Sequence, residues 1–128
     1  IKPYVWDFER QKEGARVLLK KVSDPDRYGI AAMDEEHILE IDEKPSAPKT
    51  NYAVVGVYMY HPDVFDIIKN ITPSDRGEYE ITSVNNEYIK RGKLQYSIVK
   101  GRWMDTGTFE SYLEANNILY QLDNKIKE

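Results

Sequence analysis

One run of ten residues, NYAVVGVYMY at positions 51–60, constrains the fold of this chain more than any other. Val and Tyr fill it, and both favour a pleated, half-buried surface. The run predicts a strand, and its apolar weight predicts that the strand is central. Tyr52, Tyr58 and Tyr60 fall on one strand face and are expected to pack there rather than to stack on bases. Gly56 interrupts the run, and a glycine inside a strand marks a place where a ligand or another backbone comes close.

The segments around this run alternate in type. Pro3 sits where a helix tolerates a missing N–H, so a helix is expected from the first residues to Glu13-Gly14, with Val5, Phe8 and Trp6 on its apolar side. Positions 15–22 (ARVLLKKV) read as a strand. Turn chemistry follows in Ser23-Asp24-Pro25-Asp26-Arg27, and 29–33 with 38–41 form a hairpin about Asp34-Glu35-Glu36-His37. After the polar loop 45–50 and the central strand, 62–71 suits a short helix with Val64, Phe65 and Ile68 inward. A further helix is expected at 78–91, with Ile81, Val84, Tyr88 and Ile89 near helical spacing and Gly92 as its stop. Positions 94–99 alternate as a strand, and 108–127 form a last amphipathic helix with Phe109, Tyr112, Leu113, Asn116, Leu119 and Leu122 near one face. This order predicts an α/β domain, a mixed β-sheet flanked by helices, in which a β-rich first half precedes two helical crossovers.

At 128 residues there is room for one core, so positions 1–128 read as a single domain. A formal net charge of -4 argues against affinity built on counterion release, and so against nucleic acid as a partner. No apolar stretch nears the roughly 20 residues that a membrane helix needs, so no membrane partner is expected. With no cysteine, disulfides and thiolate metal sites are excluded. No signal-like segment opens the chain, which makes a cytoplasmic location the expectation. The sequence starts at Ile1, already in helix-like residues, so a truncated or proteolysed chain is expected, with a processed mature protein as the alternative.

Chemistry concentrates in a few short runs. In Trp103-Met104-Asp105-Thr106-Gly107-Thr108 an apolar strand is expected to deliver one carboxylate to a Gly-containing turn before a helix, where α/β proteins place metal-binding or phosphate-facing acids. A capping or turn role is the competing account of Asp105. Glu43-Lys44-Pro45 closes a strand with opposite charges. In the turn that Pro45 implies, a carboxylate can take two sugar hydroxyls while an ammonium faces a phosphate. Taken alone, the tripeptide reads more readily as an exposed edge ion pair. Tyr28-Gly29 enters a strand at a glycine that either lets the backbone reach a ligand or simply makes a turn. Arg76-Gly77-Glu78-Tyr79-Glu80-Ile81-Thr82 puts a cation and two acids at a helix start, where the helix dipole explains the acids but not Arg76. His37 and His61 lack acids at metal spacing, and both read as exposed turn residues.

Taken in order, Tyr28-Gly29, Glu43-Lys44-Pro45, Asn51-Tyr52-Ala53-Val54-Val55-Gly56-Val57-Tyr58, the Arg76 to Thr82 run and the Trp103 to Thr108 run resemble the sugar-1-phosphate nucleotidyltransferases, and among them the glucose-1-phosphate thymidylyltransferases. The match is to the C-terminal half of that family's catalytic domain. The resemblance implies a Rossmann-like, glycosyltransferase-A-like fold. It implies a reaction in which a sugar 1-phosphate, here glucose 1-phosphate, attacks the α-phosphate of a nucleoside triphosphate, here dTTP, to give a nucleotide sugar and pyrophosphate. Asp105 then looks like one of two Mg²⁺-binding acids, and Asp105, Lys44 and Arg76 form the catalytic set, with Arg76 reaching a phosphate. Lys44 holds the sugar phosphate and Glu43 accepts sugar hydroxyls. Gly29 and Val54 contact the sugar through the backbone, Glu78 also meets it, and Tyr28 and Tyr58 line its pocket. The implied partners are the two substrates, the N-terminal half of the same domain, and further copies of the chain in a homo-oligomer.

Departures from the family pattern carry information as well. Upstream of Asp105 there is neither a Gly-rich triphosphate loop nor a second acid in comparable context. The N-terminal nucleotide-binding half is therefore expected to be absent, and these residues alone to be inactive. Ser83 stands where many relatives carry Asp, and Arg102-Trp103 is a shorter approach to the acid; both bear on subfamily and nucleotide. Two other classes stay open: a non-catalytic module that binds a sugar phosphate or nucleotide sugar, and a regulatory or assembly domain in which the motifs serve only the fold.

Overall fold

In the computed structural model, which describes residues 1–74 and 77–126, the apolar runs become five strands of one sheet. The chain runs α1 (Lys2–Arg10), β1 (Ala15–Lys21), a 3₁₀ turn (Pro25–Arg27), β2 (Gly29–Met33), β3 (Ile38–Glu43), β4 (Tyr52–Tyr60), α2 (Val64–Lys69), α3 (Ile81–Lys90), β5 (Leu94–Ile98) and α4 (Phe109–Ile126). The order in the sheet is β3-β2-β4-β1-β5, so β4 is the middle strand, as its sequence predicts. β1 is antiparallel to β4 and parallel to β5, which makes the sheet mixed. Helices α2 and α3 share the single connection from β4 to β5, so there is one helical crossover where two are expected.

β1 is buried on both faces at its centre, with Ala15, Val17 and Leu19 on one side and Leu18 on the other. Ala15 packs with Val64 and Ile67 of α2 and with Val84 and Tyr88 of α3, while Val17 and Leu19 pack with Ala31, Ile38 and Ile41 of the β2/β3 hairpin. Each fully buried Val, Leu or Ile among them stabilises the fold by about 1.5–3 kcal/mol. α3 stops at Gly92, whose φ is 66°. The Gly92 N–H bonds to the Ile89 carbonyl and the Lys93 N–H to the Tyr88 carbonyl, the Schellman pattern that satisfies the last turn.

Several local expectations are corrected. α2 has six residues and one inward line, Val64 and Ile67; Phe65 and Ile68 are 66% and 46% exposed. α1 ends at Arg10, before Glu13-Gly14, and Trp6 faces solvent. Gly14 answers to a crossing of chains: a Cβ there would come within 2.2 Å of the Lys93 carbonyl oxygen. Gly56 serves a bulge instead of a close approach. Val17 pairs with Tyr58 and Leu19 with Val54, so β4 takes four steps while β1 takes two, and Gly56 at φ 69° absorbs the excess. A Cβ on Gly56 would meet nothing within 4 Å. His37 is exposed as expected, but His61 is half-buried, with its ring 4.7 Å from that of Phe8 and its Nε2 3.0 Å from the Gln11 carbonyl oxygen. The stripe expected on α4 is there, yet Phe109, Leu113 and Leu119 remain exposed. No described helix is long and apolar enough to cross a membrane.

Candidate active site

The β2/β3 hairpin brings Gly29 and Glu43 face to face, because they are register partners at its open end. α3 lies against that hairpin and is fastened by Asn86, whose amide accepts from the Ile41 N–H at 2.9 Å and donates to the Ile41 carbonyl at 2.8 Å. Thr82 sits one turn earlier on the same helix face. Its hydroxyl donates to Glu43 Oε2 at 2.7 Å. A Cβ on Gly29 would lie 3.2 Å from that same oxygen and 3.7 Å from the Thr82 hydroxyl, so only glycine leaves this corner unobstructed. Tyr58, on the neighbouring strand, has its phenol pushed above the usual range by burial and then by the charge of Glu43.

Lys44 follows Glu43 in the left-handed region, with φ 45°, and no other described non-glycine residue has a positive φ. A side chain in this conformation clashes with its own backbone, a strain of order 1–2 kcal/mol. The turn holds Lys44 there through its backbone N–H, which donates to the Tyr28 carbonyl at 3.1 Å. The Lys44 side chain is exposed.

Tyr28 ties this corner to Asp105. Its ring meets that of Trp103 edge-on, with centroids 5.4 Å apart. Arg27 lies over the other part of the cluster, 5.5 Å from the Tyr28 centroid, with NH1 3.0 Å from Asp24 Oδ2 and NH2 3.7 Å from Asp105 Oδ2. The hydrogen bond to Asp24 is the main reason that Arg27 is held more firmly protonated than usual. Between them lies a cleft of about 380 Å³ whose walls include Lys20, Asp24, Tyr28, Trp103, Asp105 and Glu114.

The strand expected to deliver Asp105 is absent: β5 ends at Ile98, and residues 99–107 form an irregular loop. Trp103 is placed by its ring contact with Tyr28, not by a sheet. Glu78 lies before α3 and not in its first turn, because the helix starts at Ile81. Val54 packs against the Val17 and Leu19 cluster through its side chain. The antiparallel pairing of Ile30 with Ala53 runs its backbone toward Gly29. Arg76 lies outside the described residues. Tyr28, Gly29, Glu43, Lys44 and Tyr58 thus gather at one end of the hairpin, and Asp105 joins them through Tyr28 and Arg27. Among the described residues no three His or acidic groups cluster to hold a metal. A single exposed carboxylate still fits an ion such as Mg²⁺, which keeps several waters and takes one or two carboxylates plus substrate phosphates.

A family model described as nucleotidyl transferase matches residues 1–121. The chain belongs to the nucleotidyl transferase family. It is 40% identical over 115 residues to the glucose-1-phosphate thymidylyltransferase of Mycobacterium tuberculosis, covering 88% of this chain and 40% of that protein. Its structure superposes with a TM-score of 0.85 on a protein of Bacillus anthracis assigned as a glucose-1-phosphate thymidylyltransferase and solved with sucrose, at 52% identity and over 92% of this chain and 48% of that one. A UDP-glucose pyrophosphorylase solved with UDP-glucose superposes with a TM-score of 0.82 at 27% identity, over 94% of this chain and 48% of its own. The chain therefore spans less than half the length of these nucleotidyl transferase relatives. Thr82, Asn86, Arg27 and Lys20 are the site-building residues that sequence reasoning passes over. The one available signal is the i, i+4 spacing of Thr82 and Asn86, two polar residues on the helix face shared with Ile89 and opposite Val84 and Tyr88.

Proposed function

We propose that residues 1–128 form the sugar-phosphate side of a sugar-1-phosphate nucleotidyltransferase that joins glucose 1-phosphate to dTTP, releasing pyrophosphate. The observation that supports this most is the corner itself: Glu43, held by Thr82 above Gly29, stands next to a lysine kept in a strained backbone, and Tyr28 links both to Asp105. In this reading Glu43 accepts two sugar hydroxyls and Gly29 and Val54 let the backbone approach the ring. Tyr58 and Tyr28 wall the pocket, and Glu78 closes it. The Lys44 ammonium faces the sugar phosphate as a point charge, and Arg76 meets a phosphate. Asp105 holds one side of a bound Mg²⁺, which supplies charge neutralisation at the phosphates. The phosphate oxygen of the sugar then forms a bond to the α-phosphorus as the bond to pyrophosphate breaks, and the protein's part is positioning and charge complementarity, without a covalent intermediate.

The similar proteins bear names that share glucose and differ in nucleotide, which supports a glucose phosphate pocket on this part of the fold. The triphosphate loop and the second acid are assigned to an N-terminal half, and the exposed stripe of α4 to contacts in a cytoplasmic homo-oligomer. Two measurements test the reading. Calorimetry on this chain should register glucose 1-phosphate binding that Lys44→Ala removes. Pyrophosphate release from dTTP and glucose 1-phosphate should require the longer parent chain. Release by residues 1–128 alone, or no heat at millimolar sugar phosphate with either chain, overturns it.

A further inference from the structure

β1 carries two cations, Arg16 and Lys20, on the face opposite its inward Ala15, Val17 and Leu19. Arg16 reaches polar groups of β5 itself, and Lys20 reaches the chain that follows it. Arg16 NH1 donates to the Tyr96 carbonyl and to the Ser97 hydroxyl, both at 2.8 Å. Lys20 Nζ donates to the Val99 carbonyl at 3.2 Å and to the Gly101 carbonyl at 2.7 Å. What they hold differs. Arg16 fastens β5, which its parallel ladder with β1 already holds. Lys20 fastens the chain just past the sheet, after the final bond from the Val99 N–H to the Leu19 carbonyl at 2.8 Å. From there no regular structure intervenes before α4, and Asp105 lies on this stretch.

We propose that Lys20 is a positioning residue for Asp105. Its ammonium fixes the direction in which the loop leaves the sheet, and so where the acid presents its oxygens across the cleft that both residues line. The proposal rests on the reading of Asp105 as a metal-binding acid. A loop without ladder bonds takes its local stability from a few such contacts. Removing the ammonium frees residues 100–107 without unfolding β1, because the carbonyls it leaves can turn to water.

The test uses the full parent chain with Lys20→Met, Arg16→Met and Asp105→Asn. Amide hydrogen exchange is followed by mass spectrometry without metal, and Mn²⁺ affinity is read by electron paramagnetic resonance without nucleotide. In Lys20→Met, exchange across 100–107 should quicken on the order of ten-fold while β1 and β4 keep their rates, and Mn²⁺ should bind roughly three- to ten-fold more weakly. Arg16→Met should change neither. Unchanged exchange at 100–107, an equal acceleration in Arg16→Met, or wild-type Mn²⁺ affinity in Lys20→Met while Asp105→Asn has lost it would each overturn the proposal. If Asp105→Asn binds Mn²⁺ as tightly as the wild type, the metal reading of Asp105 fails instead, and the exchange rates still decide whether Lys20 holds the loop.

Discussion

Glu43 and Asp105 are both partly exposed carboxylates at one end of the sheet, but they are held in opposite ways. Glu43 ends a strand, pairs in register with Gly29 and accepts the Thr82 hydroxyl across a helix contact. Asp105 sits on an irregular loop, 43% exposed, with a 3.7 Å ion pair to Arg27. The first is preorganised by the fold. The second depends on a few contacts from Arg27 and on the loop's exit past Lys20, so in the proposed reading its placement is set locally and that of Glu43 by the sheet and helix.

The largest expected effect falls on the loop arm. In the full parent chain, Asp105→Asn should lower pyrophosphate release about 10²- to 10³-fold. It should leave the unfolding free energy within about 0.5 kcal/mol, because an exposed loop acid carries little of the fold. A large loss of stability by thermal or urea unfolding would erase the contrast with Glu43. On the sheet arm, Thr82→Val should cost about 0.5–1.5 kcal/mol in urea unfolding, since the partly exposed Glu43 carboxylate loses its donor. It should also weaken glucose 1-phosphate in calorimetry. Smaller still, Lys44→Gly should stabilise the hairpin by about 1 kcal/mol through relief of the left-handed strain while sugar-phosphate affinity falls. Arg27→Gln should change stability only slightly at low salt, and the difference should vanish in 1 M salt.

A last expected effect varies with pH only in the alkaline range. Burial raises the phenols of Tyr58 and Tyr60 above their ordinary value of 10.0. The folded state thus holds these protons more tightly than the unfolded chain. Their contribution is present below pH 10 and is lost as pH rises through the folded values. Alkaline urea titrations should show stability falling above about pH 10, and Tyr60→Phe should flatten that slope.

Much of the fold was legible because apolar runs between turn residues mark strands: β1, the hairpin and the central β4 lie where 15–22, 29–33, 38–41 and 51–60 predict, and β5 where 94–99 alternates. Helix starts and inward faces were less so. A six-residue helix buries a single line, and no periodicity over six positions tells Ile67 from Ile68. Trp103-Met104 mimics a strand because large apolar residues suit one, yet Trp103 spends its ring on Tyr28. The order of the motifs names Tyr28, Gly29, Glu43, Lys44 and Asp105 as candidates, and the fold brings them near one another. Thr82 and Lys20 are not named by it, since their partners lie 39 and 79 to 81 residues away and only register and helix docking bring them together.

Lys44 has a further consequence for anyone who would improve this protein. Its backbone favours Gly or Asn, so any scan that ranks substitutions by folding free energy alone will nominate this position early. Natural drift toward greater stability would arrive at the same replacement. If Lys44 holds a sugar phosphate as proposed, a lysine in such a backbone trades robustness for chemistry, recorded in one torsion angle.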